Sequence, residues 1–343
     1  MSESFLRRAL NGHVLDQEQA RSVFEEMSRG ELSEIEIAAF LGALHARGEQ
    51  PSEIAGAAEA FRSAAQHFTT TAPGVIDVVG TGGDGVGTIN ISTASAFVAA
   101  SMGLKVAKHG NRAVSSKAGA ADLIEAAGIP LDLSPASSAN LLERTGFCFL
   151  FAQKYHPAMR YVAPVRGALK NPTIFNLIGP LVNPAPLSYQ VLGVGKPELL
   201  DVVAKALASL GLKHALVVHG SGTDEFAVHG PTEIREITQE GIASFTLSPE
   251  ELGITPAPLS ELVGGDAEEN LHLISEIFAG KGAPAQREAI AATSGAMLYL
   301  AGKAESLNQG TELALSQLSS GAVASHLETI VSTARELKEQ ENQ

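Results

Sequence analysis

The residues with most capacity for chemistry lie in the run Gly80-Thr81-Gly82-Gly83-Asp84-Gly85-Val86-Gly87-Thr88-Ile89-Asn90-Ile91-Ser92-Thr93. Five glycines fall in the eight positions 80–87, more than a tight turn requires, and they leave backbone N–H groups open to an anion. A β-branched run at 75–79 precedes this loop, and an apolar helical pattern at 94–102 follows it, with Ser92 or Thr93 placed to cap the helix. Unpaired N–H groups at a helix start and the helix dipole both favour negative charge, so loop and helix are expected to cradle a phosphate. Asp84 adds a condition. A carboxylate beside a phosphate is repelled unless it binds ribose hydroxyls or shares a metal ion, so sugar, phosphate and Mg2+ together satisfy the site.

Two common phosphate loops do not fit. Gly80, Gly82 and Gly85 match G-x-G-x-x-G, but a dinucleotide fold starts its helix inside that pattern and closes the next strand with a carboxylate, whereas this one closes in Lys108-His109. The stretch from Gly82 to Gly87 runs straight into Thr88, so no lysine is placed to reach a β- or γ-phosphate as in an ATPase loop. A second polar cluster, Lys108-His109-Gly110-Asn111-Arg112-Ala113-Val114-Ser115-Ser116-Lys117, repeats the order strand, polar loop, helix, and could hold a second phosphate. Adjacent Asp224 and Glu225 follow a third strand pattern and could offer oxygen ligands to a hard cation without enclosing it.

These segments need a scaffold, and the pattern of apolar residues supplies one. From 16 to 66 apolar residues recur three and four apart in three blocks, separated at 28–30 and 48–51; Ser33 with Glu36 forms a capping-box signature, and Pro51 opens the third block. Near residue 70 the pattern changes. Strand signals at 75–79, 106–107, 189–194 and 214–219 alternate with helical ones such as 198–210, which predicts an α/β sheet, with the helix after the second loop starting near Gly119. The polar tail 335–343 reads as a solvated helix end, and nothing beyond about Glu236 suggests a role.

Composition narrows the function. The 343 residues are 45% hydrophobic and 18% charged, as in a globular protein with one large or two smaller cores. A net charge of −14 repels nucleic acid and anionic membrane surfaces. The one cysteine, Cys148, sits in the apolar run 147–151 and is expected to be a buried thiol in a reducing cytoplasm. No stretch is long and apolar enough to predict insertion or export.

The wording D-V-V-G-T-G-G-D-G-x-x-T-x-N-I-S-T at 77–93 and V-A-K-H-G-N-R-A-V-S-S at 106–116 resembles the anthranilate phosphoribosyltransferase family. The likeness extends through 37–44, 151–159 and 173–184, and covers most of the chain to about residue 235. It implies a small N-terminal helical domain, 1–70, joined by helices returning from about 165–188. It also implies a large α/β domain, 71–343, with a central, mainly parallel sheet flanked by helices, of the kind nucleoside phosphorylases share. The implied reaction moves the 5-phosphoribosyl group from phosphoribosyl pyrophosphate to the amine of anthranilate, with Mg2+, in a cytoplasmic homodimer serving tryptophan biosynthesis.

By the same resemblance, Gly80, Gly83, Asp84, Thr88, Asn90, Ile91, Ser92 and Thr93, with Lys108, His109, Gly110, Asn111, Arg112, Ala113, Val114, Ser115, Ser116 and Ala120, form the phosphoribosyl pyrophosphate site. Gly80, Asn111 and Arg166 receive anthranilate, and Ser92, Asp224 and Glu225 receive the metal; His109, Tyr155, His156 and Met159 line the passage. No general base is nominated, because an arylamine releases its proton readily after attack. Two departures stand out: Ala120 replaces a usual serine, and Gly167-Ala168 replaces a usual charged pair after Arg166. They leave another aminobenzoate open as acceptor. A pyrimidine nucleoside phosphorylase and a non-catalytic phosphoribosyl- or nucleic-acid-binding paralogue are the remaining alternatives.

Overall fold

The computed structural model describes residues 2–113 and 117–343, and the chain divides into two compact units. The first comprises Met1–His67, Gln153–Pro184 and Asp201–Gly211; the second comprises Phe68–Ala152, Ala185–Leu200 and Leu212–Gln343. The chain thus re-enters the first unit at Gln153 instead of near 165, because the strand ending at Phe151 runs directly into a helical turn, and a third segment joins that the sequence does not mark.

The first unit contains the three expected helices, Gln17–Arg29, Glu34–Arg47 and Pro51–Ser63, and an additional one, Ser2–Leu10. The Ser33–Glu36 capping box closes: Glu36 N–H donates to Ser33 Oγ at 3.3 Å and Ser33 N–H donates to Glu36 Oε2 at 2.8 Å. Phe24, Phe40, Phe61 and Phe175 meet edge to face, with Phe24 and Phe40 centroids 5.3 Å apart and Phe61 and Phe175 5.0 Å apart. The returning segment is fixed to this core where Arg62 Nη2 donates to the Leu181 carbonyl at 2.7 Å.

The second unit is built on a seven-stranded sheet: β1 Val75–Gly80, β2 Lys105–Gly110, β3 Phe147–Phe151, β4 Tyr189–Gly193, β5 His214–Gly220, β6 Thr232–Thr238 and β7 Gly241–Leu247, in spatial order 3-2-1-4-5-6-7. The first five pair in parallel, and β6 and β7 add antiparallel. Helices Ile91–Ser101 and Pro284–Leu300 share one core with Ile76, Val78, Val106, Val191 and Leu216. β3 was visible in the sequence only as an apolar run, since full burial removes the alternation that marks a strand. Cys148 is buried within it, as expected. The β6–β7 hairpin and the helices after it occupy the region beyond 236, and the polar tail lies in the helix Ala322–Glu341. Among the described residues no helix is long and apolar enough to cross a membrane.

Candidate active site

β1 and β4 are neighbours, and Gly80 lies opposite Gly193 at their carboxyl ends. From this pair the chain winds away to either side, β1 to β2 and β3, β4 to β5, which leaves a crevice at a topological switch point. Glycine at these ends is dictated by what rests on them. A Cβ at Gly80 would strike the Asp224 carboxylate, one at Gly193 the Asp224 carbonyl, and one at Gly220 the Glu225 carbonyl. The acidic pair therefore reaches from the loop after β5 and lies directly on the strand ends. Gly82 N–H donates to Asp224 Oδ2 at 2.7 Å, and Ser92 Oγ donates to Glu225 Oε1 at 2.7 Å.

The glycine-rich loop is held open from several sides. Gly82, Gly83, Gly85 and Gly87 have φ between 66° and 82°, the left-handed region that a side chain would strain. Thr81 N–H donates to the Gly193 carbonyl at 2.9 Å, and Thr81 Oγ1 accepts from Gly195 N–H at 3.1 Å. At the other end Thr88 bridges Val263, and Ile89 N–H donates to the Leu262 carbonyl at 2.9 Å. Asp84 Oδ1 accepts from Val86 N–H at 3.1 Å.

The helix start differs from expectation. Asn90, not Ser92 or Thr93, occupies the N-cap of Ile91–Ser101, and its amide caps nothing: Nδ2 donates to the Ala118 carbonyl at 3.2 Å, while Oδ1 accepts from Asn270 Nδ2 at 2.9 Å. Ile91 and Thr93 are buried, so what Thr93 can offer an anion is its backbone. The N–H groups of Ser92 and Thr93 have no partner among the described residues. A dipole-favoured anion position follows.

Three carboxylates, Asp84, Asp224 and Glu225, act on one another here. Burial raises the Asp224 and Glu225 pKa values; the charge of Asp84 adds to the first and that of Asp224 to the second, while Ser92 and Lys108 oppose the rise at Glu225. A hard cation among these oxygens would relieve the repulsion. No group of three or more His, Cys, Asp or Glu with metal-binding geometry occurs among the described residues. Mg2+ suits carboxylate and hydroxyl oxygens of this kind, since it keeps water and takes phosphate oxygens from its substrate.

The second polar cluster is less open than its sequence reads. Lys108 belongs to β2, is 2% exposed, and donates from Nζ to the Val78 carbonyl at 2.6 Å; burial lowers its pKa, against the pull of Asp77, Glu225 and Asp224. His109 is buried, and its N–H donates to Asp77 Oδ1 at 3.3 Å. Gly110 closes the strand with the Phe149 ring and Ala120 Cβ both 3.1 Å from where its own Cβ would be. Asn111 Oδ1 accepts from Arg112 N–H at 2.8 Å. Arg112 is bound to Asp122 at 2.9 Å and Glu125 at 2.8 Å, and lies 5.8 Å over the Phe151 ring. Ala113 N–H and Gly119 N–H both donate to Asp122 Oδ2. Val114, Ser115 and Ser116 lie outside the described residues.

Arg166 belongs to the first unit, in the helix Ala163–Leu169, which also carries Gly167 and Ala168. Its guanidinium lies 5.5 Å over the Phe175 ring and has no carboxylate partner among the described residues; burial lowers its pKa. Tyr155 and His156 are buried in the same unit.

Comparison with known proteins resolves what these residues have in common. Residues 3–65 match a family model described as the helical bundle domain of a glycosyl transferase family, and residues 72–324 match its a/b domain. An anthranilate phosphoribosyltransferase of Idiomarina loihiensis is 47% identical over 325 residues, 95% of this chain and 96% of that protein. The chain belongs to the anthranilate phosphoribosyltransferase family. The crystal structure of a Thermus thermophilus member superposes with a TM-score of 0.92 at 45% identity, over 96% of this chain and 99% of that one. A Saccharomyces cerevisiae member in complex with PRPP (phosphoribosyl pyrophosphate) and Mg superposes with a TM-score of 0.89 at 27% identity, over 98% of both chains.

Within this family frame, Gly80, Gly82, Ser92, Asp224 and Glu225 are brought together by direct contacts in the second unit. Sequence reasoning missed the supports. Asn270 and the Leu262–Gly264 stretch hold the glycine-rich loop from a region that seemed mute, and Gly193 and Gly195 flank it from β4. The Gly193-Val194-Gly195 spacing after a strand was the available signal, since a glycine ending a parallel strand marks a close approach.

Proposed function

We propose that the chain transfers the 5-phosphoribosyl group of phosphoribosyl pyrophosphate to the amino group of anthranilate, releasing pyrophosphate, as a step of tryptophan biosynthesis. The observation that carries this reading is Asp224 seated on the strand ends, its carboxylate against Gly80 and its backbone carbonyl against Gly193, with Glu225 and Ser92 beside it, at the switch point of the sheet. The relatives' shared name and the yeast complex with PRPP and Mg support it.

In this reading the N–H groups of the glycine-rich loop and of Ser92 and Thr93 receive phosphate oxygens, and Asp84 meets the ribose or the metal's water shell. Asp224, Glu225 and Ser92 hold Mg2+, which when bound neutralises charge on the departing pyrophosphate. As the bond from ribose C1 to pyrophosphate lengthens, C1 becomes electron-poor, and the neutral arylamine attacks it from the opposite face. Fixed donors and positioning supply most of the acceleration, and no protein base is needed. Arg166 takes the anthranilate carboxylate, consistent with a planar cation that has no carboxylate partner among the described residues. Gly80 and Asn111 complete the acceptor site, and Lys108, His109, Gly110, Arg112, Ala113, Val114, Ser115, Ser116 and Ala120 complete that for the donor. For Arg112 this requires exchange of Asp122 and Glu125 for phosphate. We assign the helical domain to 1–70 with the returning segment, the α/β domain to 71–343, a homodimeric state and a cytoplasmic location.

The test is loss of anthranilate fluorescence when phosphoribosyl pyrophosphate and Mg2+ are added to the purified protein. Loss that EDTA abolishes, and that the Arg166→Ala variant lacks, supports both the reaction and the acceptor assignment. Tight binding of phosphoribosyl pyrophosphate without loss rejects anthranilate as acceptor. Phosphate-dependent release of a base from uridine would replace the reading with a nucleoside phosphorylase.

A further inference from the structure

The turn that launches the acidic pair is gripped by two histidines that the reaction does not use. It runs from Gly220 to Thr223: Gly220 N–H donates to the Thr223 carbonyl at 3.0 Å and Thr223 N–H returns to the Gly220 carbonyl at 3.1 Å. Its central residues, Ser221 and Gly222, have φ of 48° and 101°, so a non-glycine residue is held left-handed at the first of them. Such a turn persists only where its surroundings impose it.

Those surroundings are specific. His219, at 5% exposure near the end of β5, places Nδ1 2.8 Å from the Val194 carbonyl, while Gly222 N–H donates to its Nε2 at 3.1 Å. A carbonyl can only accept and an N–H can only donate, so the ring carries its proton on Nδ1 and leaves Nε2 bare. On the other side His229 Nε2 lies 3.0 Å from the Ser221 carbonyl, and its Nδ1 is buried with no partner among the described residues. That ring carries its proton on Nε2; a proton on Nδ1 would be a buried donor without an acceptor. Ser221 Oγ adds a bond to the Pro231 carbonyl at 2.7 Å.

We propose that His219 is a positioning residue for Asp224 and Glu225: as a bridge from the end of β4 to the Gly222 N–H, it fixes the turn that sets Asp224 on Gly80 and Gly193 and Glu225 on Gly220, with His229 holding the opposite face in the opposite tautomer. The proposal rests on the metal role assigned to that pair above. Val194 is the residue next to Gly193, so His219 ties the turn to the same strand end on which Asp224 rests. Without it the pair would keep its chemistry and lose its placement. The expected signature is a change in the Mg2+ requirement that exceeds the change in turnover at saturating Mg2+.

The test has two arms. Imidazole 15N–1H correlation spectra of the wild-type protein at neutral pH report the tautomers directly: His219 protonated on Nδ1 and His229 on Nε2 support the proposal, and His219 protonated on Nε2 or on both nitrogens overturns it. In kinetics, His219→Leu is expected to raise the half-saturating Mg2+ concentration about tenfold, while His219→Gln, which keeps one donor and one acceptor, stays within about threefold of wild type. A Leu variant within about twofold of wild type, or a Gln variant as impaired as Leu, overturns the proposal. If His219→Leu does not fold by circular dichroism, the tautomers and the Gln variant decide. A wild-type protein without Mg2+-dependent transfer would defeat the functional reading, and the spectra would still judge the turn.

Discussion

At the scale of single residues, the site's electrostatics are unfavourable until something positive arrives. Asp224 and Glu225 are each pushed toward the protonated form by burial and by a neighbouring carboxylate. Replacing them with Asn and Gln removes the repulsion and the metal ligands together. We expect the Asp224→Asn/Glu225→Gln variant to lose about tenfold or more in turnover at saturating substrates while melting no lower than wild type, as read by steady-state kinetics and a thermal scan. Equal turnover would remove the metal role. His156 makes a different statement. Burial pushes its pKa down to about 4 from 6.5, against an opposing backbone bond at Phe61, so the folded ring is neutral where the unfolded one is charged. The unfolded chain then binds the extra proton between those two values, and stability falls as pH falls through that window, by about 3 kcal/mol in all. Urea titrations at about pH 7 and pH 5 should show about 2 kcal/mol of this loss, the rest falling below pH 5, and it should flatten in His156→Gln. His156, a candidate for lining the substrate passage, is 4% exposed in the first unit, and this pH dependence is expected of it whichever part it plays there.

At the scale of elements, the sharpest dependence in the helical unit is on Glu53. It is fully buried at the start of Pro51–Ser63, takes both oxygens to Arg47 Nη2, and accepts from Leu15 N–H at 3.1 Å and Gln50 N–H at 3.0 Å. One side chain thus joins the end of Glu34–Arg47, the start of the next helix and the segment before Gln17–Arg29. Glu53→Ala leaves a cation and two N–H groups without their acceptor and is expected to cost about 3–5 kcal/mol, measured by chemical denaturation. The helices themselves were legible because caps and apolar spacing are local, as Ser33 with Glu36 and Pro51 show. Glu53 was not, since nothing local distinguishes a buried glutamate from an exposed one on a helix. The same limit applies to the sheet. β1 was readable as a β-branched run and β2, β4 and β5 as further strand patterns, whereas β3 gave only an apolar stretch and the mostly exposed β7 gave no clear alternation. Within the site, Gly80, Ser92, Asp224 and Glu225 were legible through motif wording, but the burial of Lys108 and the grip of Asn270 on Asn90 depend on partners 30 and 180 positions away.

At the scale of the whole molecule, a chain of net charge −14 must admit two anionic substrates. Its bulk field opposes their approach, and only local N–H groups and cations favour them. Raising ionic strength from about 0.01 M to about 0.1 M shortens the screening length from about 30 Å to about 10 Å, which weakens the distant field more than the local contacts. The association rate of phosphoribosyl pyrophosphate at saturating Mg2+ should therefore rise with salt over this range in stopped-flow measurements. A steep fall would mean that the local cations dominate the approach. The pairing of Gly80 with Gly193 also has a consequence in time. These two strand ends are joined through more than a hundred intervening residues, their acidic cover comes from 224–225, and the brace on the loop comes from Asn270. During synthesis the glycine-rich segment emerges early but has no platform until most of the chain has followed it, and such distant pairings form slowly. An unfinished chain therefore displays the motif without the pocket, so competence to bind the donor arrives late and nearly all at once.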